Sequence, residues 1–255
     1  MPGRTDVAVS TIELATPEGS MPLYTAAPAA TAARPAGGKG GAVSGKAMIV
    51  IQEAFGVNSY IEDVTERLAG QDWYSVAPHL FHRSGGGALA YGHFELARPH
   101  IAAMSDEAIL ADLDATLDHL SAKGFATDRT CVIGFCLGGR ASFLAASRRE
   151  LGAAAGFYGG GIIKGRSRGL GPIAEDLSEM RTPWLGLFGD RDRSIPVEEV
   201  EELRRRLSKA PVPTEVIRYA GAGHGFHCDQ RDSYNPEAAA DAWRRALAWC
   251  ERFIT

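Results

Sequence analysis

From residue 47 onward, short continuous apolar runs alternate with longer stretches in which apolar residues return every three or four positions. Ala47–Gln52 is a run of strand length, and Ser59–Gly70 carries Ile61, Val64 and Leu68 at helical spacing. Trp73–Ala77 reads as the next strand, and Ser105 as the cap of a helix bearing Ile109, Leu113, Leu117 and Leu120. The alternation continues with a strand at Thr130–Phe135, a helix from about Gly138 to Arg149, and strands at Ala153–Tyr158 and Trp184–Gly189. A charged amphipathic helix at Glu198–Leu207, a strand at Thr214–Tyr219 and a helix opened by Asn235-Pro236 complete it. Ahead of this series, Val7–Ala27 predicts two short strands joined at Pro17-Glu18-Gly19-Ser20. Continuous apolar strands between helices predict a mainly parallel sheet covered on both faces, with the lead-in hairpin antiparallel at one edge.

Composition narrows this only at the margins. A chain of 255 residues, 45% hydrophobic, is long enough to bury a large core without disulfides. We expect one α/β domain over residues 1–255, interrupted by an Ala/Gly-rich surface loop at about 28–46. A net charge of −4 gives no cationic field for nucleic acid or an anionic membrane, and no apolar run nears the roughly 20 residues of a membrane span. Arg4 is followed by Asp6 and Glu13 rather than an apolar core, so no targeting segment and a cytoplasmic location are expected. The four cysteines, Cys131, Cys136, Cys228 and Cys250, form no CxxC pair and lack zinc-finger spacing to histidine, so neither a disulfide framework nor a metal is expected.

One of the four stands in a special setting. Gly134-Phe135-Cys136-Leu137-Gly138 places a thiol between a strand and a helix, with glycine two positions to either side. A nucleophile on so sharp a turn needs small neighbours, projects from the carboxyl edge of the sheet, and meets the positive end of the following helix. That dipole favours thiolate, and the Leu137 N–H is placed to hold an oxyanion. Such a thiol needs an acid and then a histidine on later loops. Asp190 and Asp192 follow the strand ending at Gly189, and His224 lies in Gly223-His224-Gly225-Phe226 after the last strand. The form Gly-x-x-Asp-x-x-Ile-Pro favours Asp192 as the acid, with Asp190 bracing the turn; His227 reads as a residue behind the catalytic groups or at the rim.

Gln52-Glu53-Ala54-Phe55-Gly56-Val57-Asn58, the Gly134–Arg140 turn, the Asp192 loop and Gly223-His224-Gly225-Phe226 together resemble the dienelactone hydrolase (carboxymethylenebutenolidase) family of α/β-hydrolases. The resemblance runs through nearly the whole chain. It implies an α/β-hydrolase fold and cofactor-free cleavage of enol-lactones or related esters by Cys136 as nucleophile, His224 as base and Asp192 as its orienter. It implies an oxyanion hole from the Leu137 and Ala54 N–H groups, a part for Glu53 in generating the thiolate, and a grip of Arg83 on a substrate carboxylate. The expected partner is a small ester or lactone, anionic where Arg83 acts, and the protein a monomer or homodimer. The chain departs from the family pattern where a second substrate arginine is expected four residues after the histidine. Cys228 stands there, with Arg231 close by as a substitute. The alternatives are a general carboxylesterase or thioesterase, a non-catalytic protein of the same fold that binds small carboxylates, and a thiol redox sensor.

Overall fold

The computed structural model describes residues 6–29 and 45–254, so all but the ends of the expected Ala/Gly-rich loop lies outside the described residues. Strands β1 (Val7–Thr16) and β2 (Gly19–Pro28) form the antiparallel hairpin, with Pro17 and Glu18 in its turn. Strands β3 (Lys46–Ile51), β4 (Trp73–Pro78), β5 (Thr130–Phe135), β6 (Ala153–Phe157), β7 (Trp184–Gly189) and β8 (Thr214–Tyr219) run parallel to one another. The eight strands form one sheet in the order β1-β2-β4-β3-β5-β6-β7-β8, and the hairpin joins it antiparallel through β2 and β4.

Helices α1 (Ser59–Ala69), α2 (Phe94–Ala102), α3 (Asp106–Ala122), α4 (Leu137–Arg148), α5 (Val197–Leu207) and α6 (Pro236–Phe253) complete the fold, and helices cover both faces of the sheet. Every residue of β5, and Ala47–Ile51 of β3, is buried, as expected for strands with helices on both sides. Helix starts follow local chemistry: the side chains of Asn58, Ser105 and Asn235 accept hydrogen bonds from the N–H groups of Ile61, Ala108 and Ala238. No described helix is long and apolar enough to cross a membrane.

Helix α2 is absent from the periodicity reading. It spans only nine residues, has Pro99 inside it and buries Ala97 alone, while Phe94 and Leu96 are exposed. A helix whose apolar side chains do not share one buried face leaves no 3.6-residue signature.

The strand order reverses between β3 and β5, because the chain moves outward from β3 to β4 and then returns to the other side of β3. In open α/β sheets a crevice opens at such a reversal, beyond the carboxyl ends of the strands. Glu53 and Ala54 leave β3 there, and Cys136 leaves β5 there.

Candidate active site

The turn after β5 is the most constrained point of the chain. Cys136 has φ 53° and ψ −109°, a backbone state that L-residues rarely adopt, and it immediately precedes α4. The two glycines earn their places by close approach: a methyl group on Gly134 would meet the Gly138 carbonyl, and one on Gly138 would meet the Ile51 and Gln52 carbonyls. The Gly138 N–H donates to Gln52 O at 3.0 Å, and the Cys136 N–H to Phe157 O at 3.0 Å, so the turn is tied to both neighbouring strands. Gly138→Ala will therefore overpack against backbone that cannot yield. We expect a loss of about 2–3 kcal/mol, visible as a fall of roughly 5–10 °C in Tm by calorimetry.

Leu137 opens α4, where the first N–H groups have no acceptor within their own helix. Ala54 lies in the tight turn after β3, closed by an isolated bridge between Glu53 and Gly56. Gln52 braces this turn: its side-chain oxygen accepts the Leu80 N–H at 3.1 Å, joining the exits of β3 and β4.

Two loops bring the remaining groups to the thiol. His224, on the loop after β8, places Nε2 3.1 Å from Cys136 Sγ and Nδ1 2.6 Å from Asp192 Oδ2. Asp192, on the loop after β7, is only 4% exposed; its Oδ1 accepts the Ser194 N–H at 2.8 Å and the Ser194 hydroxyl at 2.6 Å. Burial would raise the Asp192 carboxyl, but His224 and Ser194 hold it below the ordinary aspartate range. Asp190 faces elsewhere, pairing with Arg218 at 2.7 and 3.0 Å.

Burial likewise opposes charge on the thiol, yet the neighbouring His224, aided by Arg166, brings Cys136 down from 9.0 to about 7. For His224, burial disfavours the cation, while the Cys136 sulfur and the Asp192 carboxylate together raise it to about 10. The two shifts have one origin, since thiolate and imidazolium each favour the charge on the other.

Glu53 is fully buried. Its carboxylate accepts the Tyr91 hydroxyl at 2.7 Å and pairs with Arg231 Nη1 at 3.2 Å, while the Arg231 guanidinium lies over the rings of Phe55 and Tyr91. Arg83 occupies different ground. Its guanidinium clasps both Asp112 oxygens at 2.6 and 2.8 Å and also pairs with Glu18 from the hairpin turn. Arg83, expected to grip a substrate carboxylate, is thus paired with Asp112 and Glu18, and the guanidinium beside the Glu53 turn is that of Arg231. Asp112, only 1% exposed on α3, takes Arg83 as its cation and lies within hydrogen-bond distance of His82.

His227, expected behind the catalytic groups or at the rim, takes the buried position. It is 5% exposed, not at a rim; Tyr60 Oη lies 2.6 Å from its Nδ1, and burial drops its pKa to about 3, which keeps it neutral. Burial also pushes the Cys228 thiol up to about 11. Sequence reasoning missed Ser194, Tyr91, Tyr158 and Arg166. The first two have no local signature, and Tyr158 reads in the sequence as the end of a strand.

Comparison with known proteins rests on coverage as well as identity. The dienelactone hydrolase family model matches residues 30–254. A Yersinia pestis protein named carboxymethylenebutenolidase is 38% identical over 204 residues, covering 79% of this chain and 76% of its own. A Bradyrhizobium 2-oxo-3-(5-oxofuran-2-ylidene)propanoate lactonase is 28% identical over 248 residues, covering 95% of this chain and 94% of its own. Among solved structures, a dienelactone hydrolase of Klebsiella pneumoniae superimposes with a TM-score of 0.84 at 31% identity, covering 97% of this chain and 100% of its own. Since the family match takes in nearly everything from the lead-in hairpin's end to the last helix, this chain belongs to the dienelactone hydrolase family, a family of α/β-hydrolase enzymes that cleave lactones and esters.

Proposed function

We propose that this protein hydrolyses a carboxylate-bearing lactone or ester through a thioacyl intermediate on Cys136. The observation that carries the reading is the single imidazole that touches both Cys136 Sγ and Asp192 Oδ2. The thiolate attacks the carbonyl carbon, forming an S–C bond and an oxyanion that the Leu137 and Ala54 N–H groups receive. Collapse of that intermediate breaks the C–O bond, and the leaving oxygen takes the proton from His224 Nε2. Acylation also abolishes the charge on sulfur. Because that charge is a main cause of the raised His224 pKa, its loss frees the now neutral imidazole to act as base. Nε2 then takes a proton from water, hydroxide attacks the thioester, and the thiolate departs from the carboxylic acid product. Asp192 holds the ring by Nδ1 throughout.

The anionic substrate class is supported by Arg231, whose guanidinium lies against Glu53 and two aromatic rings. A substrate carboxylate there would compete with Glu53 for the guanidinium. The Bradyrhizobium relative, named for a lactone that is itself a propanoate, is consistent with this class. A second reading, an esterase for uncharged substrates, draws on the fact that Arg83 and Arg231 are both already paired with carboxylates.

The test is the pH dependence of Cys136 alkylation by iodoacetamide, followed by mass spectrometry. Thiolate is the reactive form, so the rate should rise with pH about a midpoint near 7, well below the ordinary thiol value of 9.0. In His224→Ala the midpoint should move upward, because burial alone raises the thiol. A midpoint near 9 in the wild type would remove the basis for an activated nucleophile.

A further inference from the structure

Tyr158 is the least explained residue around the site. It follows β6 at the carboxyl edge of the sheet, its N–H donates to Leu187 O at 2.8 Å, and its backbone then turns to φ 41°. A tyrosine in the left-handed region is strained, and such strain persists only where surrounding structure enforces it. The side chain is 0% exposed, yet its hydroxyl has no hydrogen-bond partner. The hydroxyl of Tyr60 acts on it electrostatically but without hydrogen-bond geometry, and Tyr60 lies on His227 at 2.6 Å. Leaving a buried hydroxyl unpaired is costly, and Phe at this position would avoid the cost.

Its surroundings indicate what the hydroxyl waits for. The ring packs edge-on against His224, with centroids 5.2 Å apart, and against Phe226 at 5.4 Å. Burial first, then Tyr60, Glu53 and Cys228, raise the phenol well above its ordinary pKa, so it meets a ligand as an O–H donor. Arg231 lies within electrostatic range of this side chain. Its neighbours are therefore the groups assigned above to the substrate's acidic part, whereas the leaving oxygen must reach His224 Nε2.

We propose that Tyr158 is a specificity-determining residue whose hydroxyl donates a hydrogen bond to an acceptor oxygen on the acyl half of the substrate, alongside Arg231. The inference rests on the hydrolase reading. It assigns the strained backbone a purpose, since the turn at Tyr158 sets a rigid aromatic donor behind the imidazole without engaging it in hydrogen bonding.

The experiment compares wild type with Tyr158→Phe on two para-nitrophenyl esters that share a leaving group. One is the acetate, and the other the hemisuccinate, which carries a carboxylate on its acyl half. The expected result is a loss of about 10- to 100-fold in kcat/KM on the hemisuccinate and less than about 3-fold on the acetate. The rate of Cys136 alkylation by iodoacetamide should be unchanged, and Tm should hold or rise, because an unpaired hydroxyl has been removed. Equal losses on both esters, no loss on the hemisuccinate, or a lowered Tm would each overturn the assignment. If wild type turns over neither ester although Cys136 alkylates readily, the hydrolase reading itself fails and takes this inference with it.

Discussion

Cys136→Ala is expected to lower kcat by at least about 10⁴-fold on any ester or lactone the wild type cleaves, with the folded structure intact. The thiol supplies the only bond to the acyl group in the proposed route, so no other residue can complete the first step. Alanine leaves the strain of the turn in place, since that strain lies in the backbone of the buried Cys136 and not in its side chain. Cys136→Ser should fall nearly as far. A serine hydroxyl beside His224 will not ionise near neutral pH, so the thiolate–imidazolium state is lost even though the geometry remains. Steady-state rates on an aryl ester, with circular dichroism as the folding control, decide the point. An alanine variant that keeps a tenth of the wild-type rate would place the nucleophile elsewhere.

Asp192→Asn should cost about 10²- to 10⁴-fold in kcat, and Asp190→Asn much less. Asp192 Oδ2 accepts from His224 Nδ1, which keeps the other ring nitrogen directed at the sulfur. An amide in that place can donate to Nδ1 and trap the wrong tautomer. Removing the carboxylate also removes one cause of the raised His224 pKa, so the imidazolium is lost at lower pH and the alkaline limb of the rate profile should move down from about 10. Asp190 offers the contrast. Its two oxygens hold Arg218 of β8, so Asp190→Asn should loosen the tie between the exit of β7 and strand β8 and lower Tm while leaving that limb in place. A larger rate loss in the Asp190 variant would reverse the assignment.

Much of the scaffold was legible because it is written in near-neighbour terms. The apolar run at Ala47–Gln52 corresponds to β3, Lys46–Ile51, and the caps at Asn58, Ser105 and Asn235 each begin a helix as their chemistry requires. The Gly134–Gly138 spacing was readable for the same reason, since the constraint acts within five residues of backbone. Helix α2 escaped because Pro99 and a buried face of one alanine leave no periodic signal.

What the sequence by itself determined about this protein is the α/β alternation, the turn that presents Cys136, and the chain order of Asp192 and His224 behind it. Each depends on residues adjacent along the chain or on one loop following one strand. Only the tertiary structure decided which guanidinium lies beside Glu53, that Arg83 belongs to Asp112 of α3, and that the Tyr158 hydroxyl is buried without a partner. The physical reason is common to all three. Glu53, Tyr158 and Arg231 lie on three separate segments, and what each side chain meets depends on how the sheet orders its strands and how loops fold over its edge. A charged or hydroxyl group takes the partner that best offsets its burial, and that choice is made among groups far apart in sequence.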